Sequence, residues 1–290
     1  MILHYQMIRS DLMKVGIRAH DVQIFDNPEQ LACKLEELGF SYLQFAPRAS
    51  LPETTDTGKK INYGLAQTIN NIFTHHNLQI AVLGCYVNII DPDISKRNSA
   101  LQLFSQYLTL ARYFGSNLVG TETGSVDPNF NLTTKNYEAP TVNLAVSQIE
   151  KLVKIAEKTG TLIGIEPGVN HPIHSIKVME TVLQQIKSPN LQVILDMANL
   201  VTDSTQKIST ILQQALNTFG NKIYCYHIKD YVFKNGRIQV VPIGEGIADI
   251  KETLILINSQ QPHSFVILDE TPQRDFFQSL TRIQEITKNI

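Results

Sequence analysis

The sequence predicts a single-domain α/β protein, a (β/α)8 TIM barrel. Short apolar runs of strand length alternate with longer stretches whose apolar residues recur at helical spacing, and this alternation repeats eight times. The chain has 290 residues, which suits a barrel of about 250 residues. No linker or change in composition divides it. We therefore expect one domain over residues 1–290, with residues 1–13 as an N-terminal extension.

The predicted units follow one another along the whole chain. In the first, Leu31, Leu35 and Leu38 recur on one helical face. Before the seventh helix, Asn235-Gly236 in FKNGRIQVVPIGEG predicts a hairpin turn. The predicted strands are 15–19, 41–46, 78–87, 117–122, 161–166, 191–196, 222–230 and 264–270. The predicted helices are 27–40, 63–77, 91–114, 140–159, 174–187, 203–218, one from about 249, and 273–290.

A doubly wound open sheet is the alternative fold for such an alternation. That fold normally carries a glycine-rich phosphate loop after an early strand. The sequence has neither a G-x-G-x-x-G motif nor a Walker-type loop. The barrel is therefore the favoured prediction.

Composition and charge narrow the classes of partner. The formal net charge is −2 and the basic residues are scattered, which argues against a nucleic-acid or anionic membrane surface. No segment approaches the roughly 20 apolar residues of a membrane span, and the N-terminus lacks a signal-peptide pattern. The three cysteines have no metal-site spacing and fit a reducing compartment. We expect a cytoplasmic protein that acts on a small molecule.

Four of the predicted strands end in a residue able to bind a metal ion. Glu166 ends the fifth, Asp196 the sixth and Glu270 the eighth, and His227 lies near the end of the seventh. The carboxyl ends of barrel strands line one mouth, where active sites form. We expect these four side chains to converge there. The alternative, that each is a solvated loop residue, stays open for any one of them taken singly.

Strand alternation gives the predicted facing of these residues. Asp196 shares its face with Ile194, and Glu270 shares its face with Leu268 and Val266. The apolar residues below the polar ends are therefore expected to fill the barrel interior.

An imidazole and three carboxylates form an oxygen-rich site for one divalent cation. Mn²⁺, Mg²⁺ and Co²⁺ suit such ligands, and Zn²⁺ also accepts them. Without a cation, three clustered carboxylates would raise one another's pKa values by mutual repulsion. A bound metal ion is the simpler prediction.

Several motifs together resemble one known family. GIEP, VILDMANL, YCYHIKDY, VPIGEGIADI and VILDETP are similar to signatures of the xylose isomerase-like barrels. Within these, the resemblance is to the sugar phosphate isomerase/epimerase branch, which is related to ketose 3-epimerases, hydroxypyruvate isomerase, inosose dehydratase and endonuclease IV. The resemblance covers about residues 15–275. It implies that Glu166, Asp196, His227 and Glu270 bind one divalent cation, and that Glu166 and Glu270 are the acid and base.

The resemblance also implies the reaction. We expect an isomerase or epimerase of a small sugar or sugar phosphate, in which proton transfer proceeds through an enediolate. An inosose dehydratase-type lyase would use the same metal and base. A phosphoester hydrolase and a catalytically silent sugar-binding barrel remain alternatives. A homo-oligomer is usual in the family.

Asn199 marks a departure from two members of the family. Ketose 3-epimerases and endonuclease IV usually have histidine three residues after the metal-binding aspartate, whereas this sequence has Asn199. RIQVVPIGEG also lacks the Asp-x-His motif of endonuclease IV. These differences argue against DNA repair.

Five further residues are candidates for binding substrate. The candidates are His20, Glu122, Asn199, Lys229 and Arg237. His20 and Glu122 end the first and fourth strands, and Glu122 is expected to support the ligands rather than bind the metal. Lys229 and Arg237 could contact a hydroxyl or phosphate, or could be a solvated strand end and a surface arginine.

Overall fold

A closed barrel of eight parallel strands forms the centre of the molecule. The computed structural model describes residues 13–234 and 236–288. In order around the barrel the strands are β1, β10, β7, β6, β5, β4, β3 and β2. This confirms the predicted (β/α)8 fold. The barrel strands are β1 (Lys14–Arg18), β2 (Tyr42–Phe45), β3 (Gln79–Gly84), β4 (Leu118–Thr121), β5 (Leu162–Ile165), β6 (Leu191–Asp196), β7 (Ile223–Ile228) and β10 (Phe265–Leu268).

Helices follow every barrel strand and cover the outside. Local sequence fixes where several begin: the Asn27 side chain accepts a hydrogen bond from the Gln30 N–H, and Pro28 opens that helix. Ser175 caps another helix in the same way. The helices are α1 (Pro28–Glu37), α2 (Pro47–Ser50), α3 (Tyr63–His75), α4 (Ile94–Leu110), α5 (Ala139–Thr159), α6 (Ile176–Gln185), α7 (Ile208–Phe219), α8 (Ile250–Gln260) and α9 (Phe276–Lys288).

Apolar side chains fill both sides of the strands. A small cluster occupies the barrel interior, and a much larger core lies between strands and helices. Strands buried on both faces are expected when helices cover a parallel sheet. The interior cluster consists of Ala81, Val82, Leu118, Ile194, Cys225, Phe265 and Ile267.

The facing predicted for the last strand is wrong. Phe265 and Ile267 fill the barrel interior, whereas Val266 and Leu268 pack in the outer core. Ile267 pairs with His227, so the inward positions of β10 are odd-numbered and the series continues to Asp269. Glu270 therefore does not share the inward face.

A two-stranded hairpin projects after β7. Strands β8 (Asp230–Lys234) and β9 (Arg237–Val241) pair antiparallel, with Lys234 opposite Arg237. This confirms the predicted hairpin, although Asn235 of the predicted turn lies outside the described residues.

The buried Asp230 holds the chain that returns from this hairpin. Its carboxylate accepts hydrogen bonds from the backbone N–H groups of Tyr231, Gly244, Gly246 and Ala248. A Cβ at Gly246 would lie 2.1 Å from Asp230 Oδ1, so only glycine fits there.

Two other predictions concern the ends of the chain and the membrane. The proposed extension over residues 1–13 falls outside the described residues except for Met13, which is buried in the core. Within residues 13–234 and 236–288, no helix combines the length and apolar character needed to cross a membrane.

Candidate metal centre and active-site cavity

Three predicted ligands meet at the carboxyl ends of neighbouring strands. Glu166 follows β5, Asp196 ends β6 and His227 lies in β7. Each offers one ligand atom, and these atoms lie within 4.8 Å of one another. All three side chains are buried. We call Glu166, Asp196 and His227 the triad.

Glu166 is held by three neighbours. Tyr86 donates its hydroxyl proton to Glu166 Oε2 at 3.0 Å, and the Asn199 amide donates to Oε1 at 2.9 Å. His227 Nδ1 lies 3.3 Å from the same Oε1. Burial opposes ionisation of Glu166, but the His227 ring outweighs it and lowers the pKa of this carboxyl. Glu166 is therefore an oriented carboxylate.

Asp196 lies between a backbone amide and a buried lysine. Its Oδ1 accepts the Asn199 N–H at 3.1 Å, and its Oδ2 lies 3.0 Å from Lys229 Nζ. Burial, together with the nearby carboxylates of Asp269 and Glu166, raises the pKa of Asp196 to about 6. Further positive charge at this point would stabilise the ionised form.

A further buried carboxylate near the triad belongs to Asp269, the residue before Glu270. Asp269 is 4% exposed, and its oxygens lie 2.8 Å from Lys229 Nζ and 2.9 Å from an Arg18 nitrogen. Burial works against the charge, but Lys229 and Arg18 hold the pKa of Asp269 well below its usual value. Two cations thus already neutralise this carboxylate.

Glu270 stands at the rim of the same mouth. Its side chain is 48% exposed and lies 3.5 Å from Lys229 Nζ. The structure does not bring it into the triad. Its backbone has φ +53°, a left-handed conformation that glutamate rarely adopts. Such strain is often retained at functional sites.

The triad fits a divalent cation. His227 Nε2 is buried and forms no hydrogen bond within the described part of the chain. An unpaired buried polar atom is costly, and this one belongs to a residue that offers a metal-binding atom to the same site as Glu166 and Asp196. One imidazole and two carboxylates accept Zn²⁺, Mn²⁺ or Co²⁺.

A cavity of about 520 Å³ opens above the triad. Its lining includes Glu166, His227, Asp269 and Glu270. This volume lies within the roughly 300–1,000 Å³ usual for small-molecule sites. We call it the inner cavity.

His20 lines the inner cavity, as predicted from its place after the first strand. Burial, reinforced by the nearby Arg18 cation, lowers the pKa of His20 to about 4. The ring is therefore neutral near pH 7, and its buried Nδ1 has no hydrogen-bond partner in the described ranges. A substrate hydroxyl would satisfy it.

The remaining candidates occupy different places. Asn199 contacts both carboxylates of the triad, as described above. Glu122 lines the inner cavity, and its carboxylate lies 3.2 Å from Nε2 of the buried His171. Lys229 is 4% exposed, so it is not a solvated strand end. Arg237 lies in the hairpin and does not line the inner cavity.

The sequence matches one family model over most of its length. The model for the xylose isomerase-like TIM barrel matches residues 33–286. The chain belongs to this family. The predicted family resemblance is confirmed, and the protein is an enzyme of the xylose isomerase-like kind. A search of the curated proteins found no significant match.

Solved structures of xylose isomerase-like barrels share the fold. A D-tagatose 3-epimerase-like protein has a TM-score of 0.75 and 18% identity, with 96% of this chain and 99% of that chain covered. The IOLI protein with a bound zinc atom has a TM-score of 0.73 and 17% identity, again with 96% of this chain and 99% of that chain covered. The 3-keto-D-glucoside 4-epimerase YcjR from E. coli has a TM-score of 0.72 and 16% identity, with 94% of this chain and 99% of that chain covered. At these low sequence identities, the structural similarity shows a shared fold and nothing about a shared substrate.

Several residues of this xylose isomerase-like site were not among the sequence-based candidates, among them Tyr86, Asp269 and Gln44. Tyr86 lies in a run that resembles an ordinary apolar strand, and only the fold brings it to Glu166. Asp269 was passed over in favour of its neighbour Glu270. Gln44 is 2% exposed, lines the inner cavity and has an unpaired Oε1 within the described residues. A polar residue within the strand SYLQFA was the signal that could have identified it.

Proposed function

We propose that the protein is a divalent-metal-dependent isomerase or epimerase of a small sugar or sugar phosphate, with proton transfer through an enediolate. The observation that carries this proposal is the triad below the inner cavity, where His227 Nε2 has no hydrogen-bond partner in the described residues. Membership of the xylose isomerase-like family supports it.

Glu166, Asp196 and His227 would hold the metal ion. When bound, a divalent cation acts as a Lewis acid that stabilises negative charge on substrate oxygens and makes the adjacent C–H more acidic. The protein's own contribution is orientation. Tyr86 and Asn199 fix the Glu166 carboxylate, and burial keeps competing water away from it.

Glu166 and Glu270 are the proposed proton carriers. Glu166 lies buried at the floor of the inner cavity and Glu270 at its rim, so the two could reach different sides of a bound sugar. Transfer of a proton from one carboxylate to the substrate after removal by the other inverts a carbon. Return of the proton to the neighbouring carbon gives isomerisation instead.

Lys229 favours a second outcome of the same first step. Burial opposes its charge, but Asp196 and Asp269 hold its pKa well above the usual value. The ammonium, which lines the adjoining cavity, could hold a leaving hydroxyl by a hydrogen bond while the carboxyl group that took up the substrate proton returns it to that oxygen. Loss of water would make the enzyme a lyase, and the product distinguishes this from isomerisation.

Proton exchange tests the proposal directly. The protein would be loaded separately with Mn²⁺, Mg²⁺, Co²⁺ or Zn²⁺ and incubated in D₂O with ketoses, ketose phosphates and inososes, and the C–H signals would be followed by NMR. We expect deuterium at the carbon next to the carbonyl of the true substrate. Glu166→Gln should abolish exchange, whereas Glu252→Gln, an exposed glutamate on α8, should leave it unchanged.

Two results would contradict this mechanism. Exchange at the wild-type rate in both Glu166→Gln and Glu270→Gln would exclude the carboxylates as acid and base. No exchange with any substrate, with metal binding confirmed, would exclude enediolate chemistry on these sugars.

A further inference from the structure

A second cavity of about 530 Å³ adjoins the inner one. The two share Glu122, Asn170, Asn199 and Glu270 in their linings. Lys229, which contacts Asp196, also lines the second cavity. A ligand bound at the triad therefore has a continuous path outward. We call this second space the outer cavity.

Apolar side chains from two separate elements form part of the walls of the outer cavity. The loop after β4 supplies Phe130 and Leu132, which are 44% and 61% exposed. The hairpin supplies Phe233, Ile238 and Val240 from the other side. Single exposed apolar residues are ordinary, but a group of them around one concavity marks a binding site.

Contacts with a neighbouring loop hold the β4 side of the cavity. Tyr137, a further lining residue, donates its hydroxyl proton to the Val169 carbonyl. Its ring also packs on His174 with the ring centroids 4.1 Å apart. The apolar wall is thus tied to the loop that follows Glu166.

The chemistry of these walls selects the kind of ligand. Phe130, Leu132, Phe233 and Ile238 offer no side-chain hydrogen bonds, so sugar hydroxyls placed against them would lose solvation without replacement. A flat apolar ring would instead gain burial and aromatic contacts. Charged residues of both signs also line this cavity, namely Glu122, Glu270, Lys229 and Arg237, so its charge selects neither a cationic nor an anionic group.

The two cavities together are larger than a single small sugar requires. Each one alone falls within the range of about 300–1,000 Å³ that accommodates a drug-sized ligand. A monosaccharide in the inner cavity would leave the apolar part of the outer cavity in contact with water.

We infer that the substrate is a carbonyl-bearing, glycoside-like sugar whose apolar ring occupies the outer cavity while the sugar lies over the triad. This inference rests on the proposed function, because it takes the inner cavity as the site of the sugar. It assigns Leu132 and Phe233 to substrate selection, a role separate from the proton transfers of Glu166 and Glu270.

A matched pair of ligands tests the outer cavity without turnover. Binding of phenyl and methyl β-D-glucoside to the full chain would be measured by calorimetry and by saturation-transfer NMR, with Zn²⁺ and with EDTA. We expect the phenyl compound to bind roughly tenfold or more tightly, as burial of an apolar ring predicts. Its aromatic protons should receive the strongest saturation.

Variants locate the effect. Leu132→Ser changes an exposed side chain and should not impair folding, and Phe233→Ser probes the opposite wall. Both should reduce the preference for the phenyl compound at least severalfold. Phe277→Ser, at a phenylalanine 71% exposed on α9, should keep the wild-type preference.

The outcomes separate this inference from the proposed function. Equal binding of the two glucosides, no binding of the phenyl compound, or an unchanged preference in both wall variants would overturn the inference. A preserved phenyl preference without deuterium exchange on any sugar would support the outer cavity and contradict the proposed function. Deuterium exchange without any preference for the phenyl compound would support the proposed function and contradict the inference about the outer cavity.

Discussion

At the scale of single residues, Lys229 organises the site. Its ammonium lies 3.0 Å from Asp196, 2.8 Å from Asp269 and 3.5 Å from Glu270. A buried lysine is tolerated only when carboxylates surround it. The run that begins as KIYCYH thus ends in charged residues because Lys229 pairs with carboxylates from other strand ends, while Asp230 accepts hydrogen bonds from backbone N–H groups.

The first prediction contrasts two adjacent acids. Asp269→Asn removes one carboxylate partner from both Lys229 and Arg18 and should lower the free energy of unfolding by about 3 kcal/mol, because it breaks two ion pairs at a buried carboxylate. Glu270→Gln, at a half-exposed position, should cost at most about 1 kcal/mol. Urea denaturation in EDTA measures both. A larger loss in Glu270→Gln would contradict the observed burial.

The sequence was sufficient to predict which residues form the site, but it did not predict which of them contact one another. Glu166, Asp196 and His227 could be predicted because polar groups at the ends of apolar strands are conspicuous. Tyr86 could not, because its hydroxyl matters only through Glu166, which lies 80 residues away along the chain. Such long-range pairs depend on the closed barrel and leave no local signal.

At the scale of elements, the strands were predicted more accurately than their facing. In β10 both faces are apolar, so alternation alone could not tell Phe265 and Ile267 from Val266 and Leu268. The predicted start of α7 at residue 203 was also early. The Gln206 side chain instead accepts the Thr202 N–H and closes a turn before Ile208.

The hairpin return provides the second prediction. Asp230→Ala leaves the backbone N–H groups of Gly244, Gly246 and Ala248 without their acceptor and should cost at least about 2 kcal/mol of stability. Asp230→Asn keeps one acceptor oxygen and should cost less. Hydrogen exchange at the three amides should accelerate in the same order. Unchanged exchange in the alanine variant would show that other groups hold this loop.

The third prediction concerns the contact between α1 and α3. His76 Nδ1 lies 2.7 Å from Glu36 and Nε2 lies 3.2 Å from Glu29. Hydrogen bonding to Glu36 first, then to Glu29, raises the pKa of His76 above 6.5. The protonated pair therefore adds stability below pH 6.5 that is lost as pH rises through the raised pKa.

Denaturation of wild type and His76→Gln from about pH 5 to about pH 9 measures this. The stability difference should be largest at the acid end and shrink with increasing pH. Phe277→Ser, at an exposed position on α9, removes no titratable group and is the control; it should show no such trend. A difference that grows with pH would contradict the assigned ion pair.

At the scale of the whole molecule, the closed barrel of parallel strands explains why the position of the site could be predicted from the sequence although its contacts could not. All eight barrel strands run the same way, so residues at their carboxyl ends share one mouth. His20, Tyr86, Glu166 and Glu270 reach the inner cavity from separate parts of the chain. The fold therefore sets the place of the chemistry, while loops such as the β8–β9 hairpin shape what can bind beside it.

The last prediction concerns the stability of the whole barrel on metal binding. A cation that binds only the folded triad at about 100 times its Kd should add about 2.7 kcal/mol, or roughly 5–10 °C in Tm, and EDTA should reverse the shift. His227→Gln should remove most of it, because the variant lacks the imidazole.

Glu270→Gln discriminates between two ligand sets: a retained shift leaves Glu270 as a proton carrier at the rim, and a lost shift makes it the fourth ligand predicted from the sequence. Scanning calorimetry with each candidate ion measures these shifts. An equal shift in wild type and His227→Gln would place the ion elsewhere and contradict the site, because a cation held by the triad cannot stabilise the fold without its imidazole.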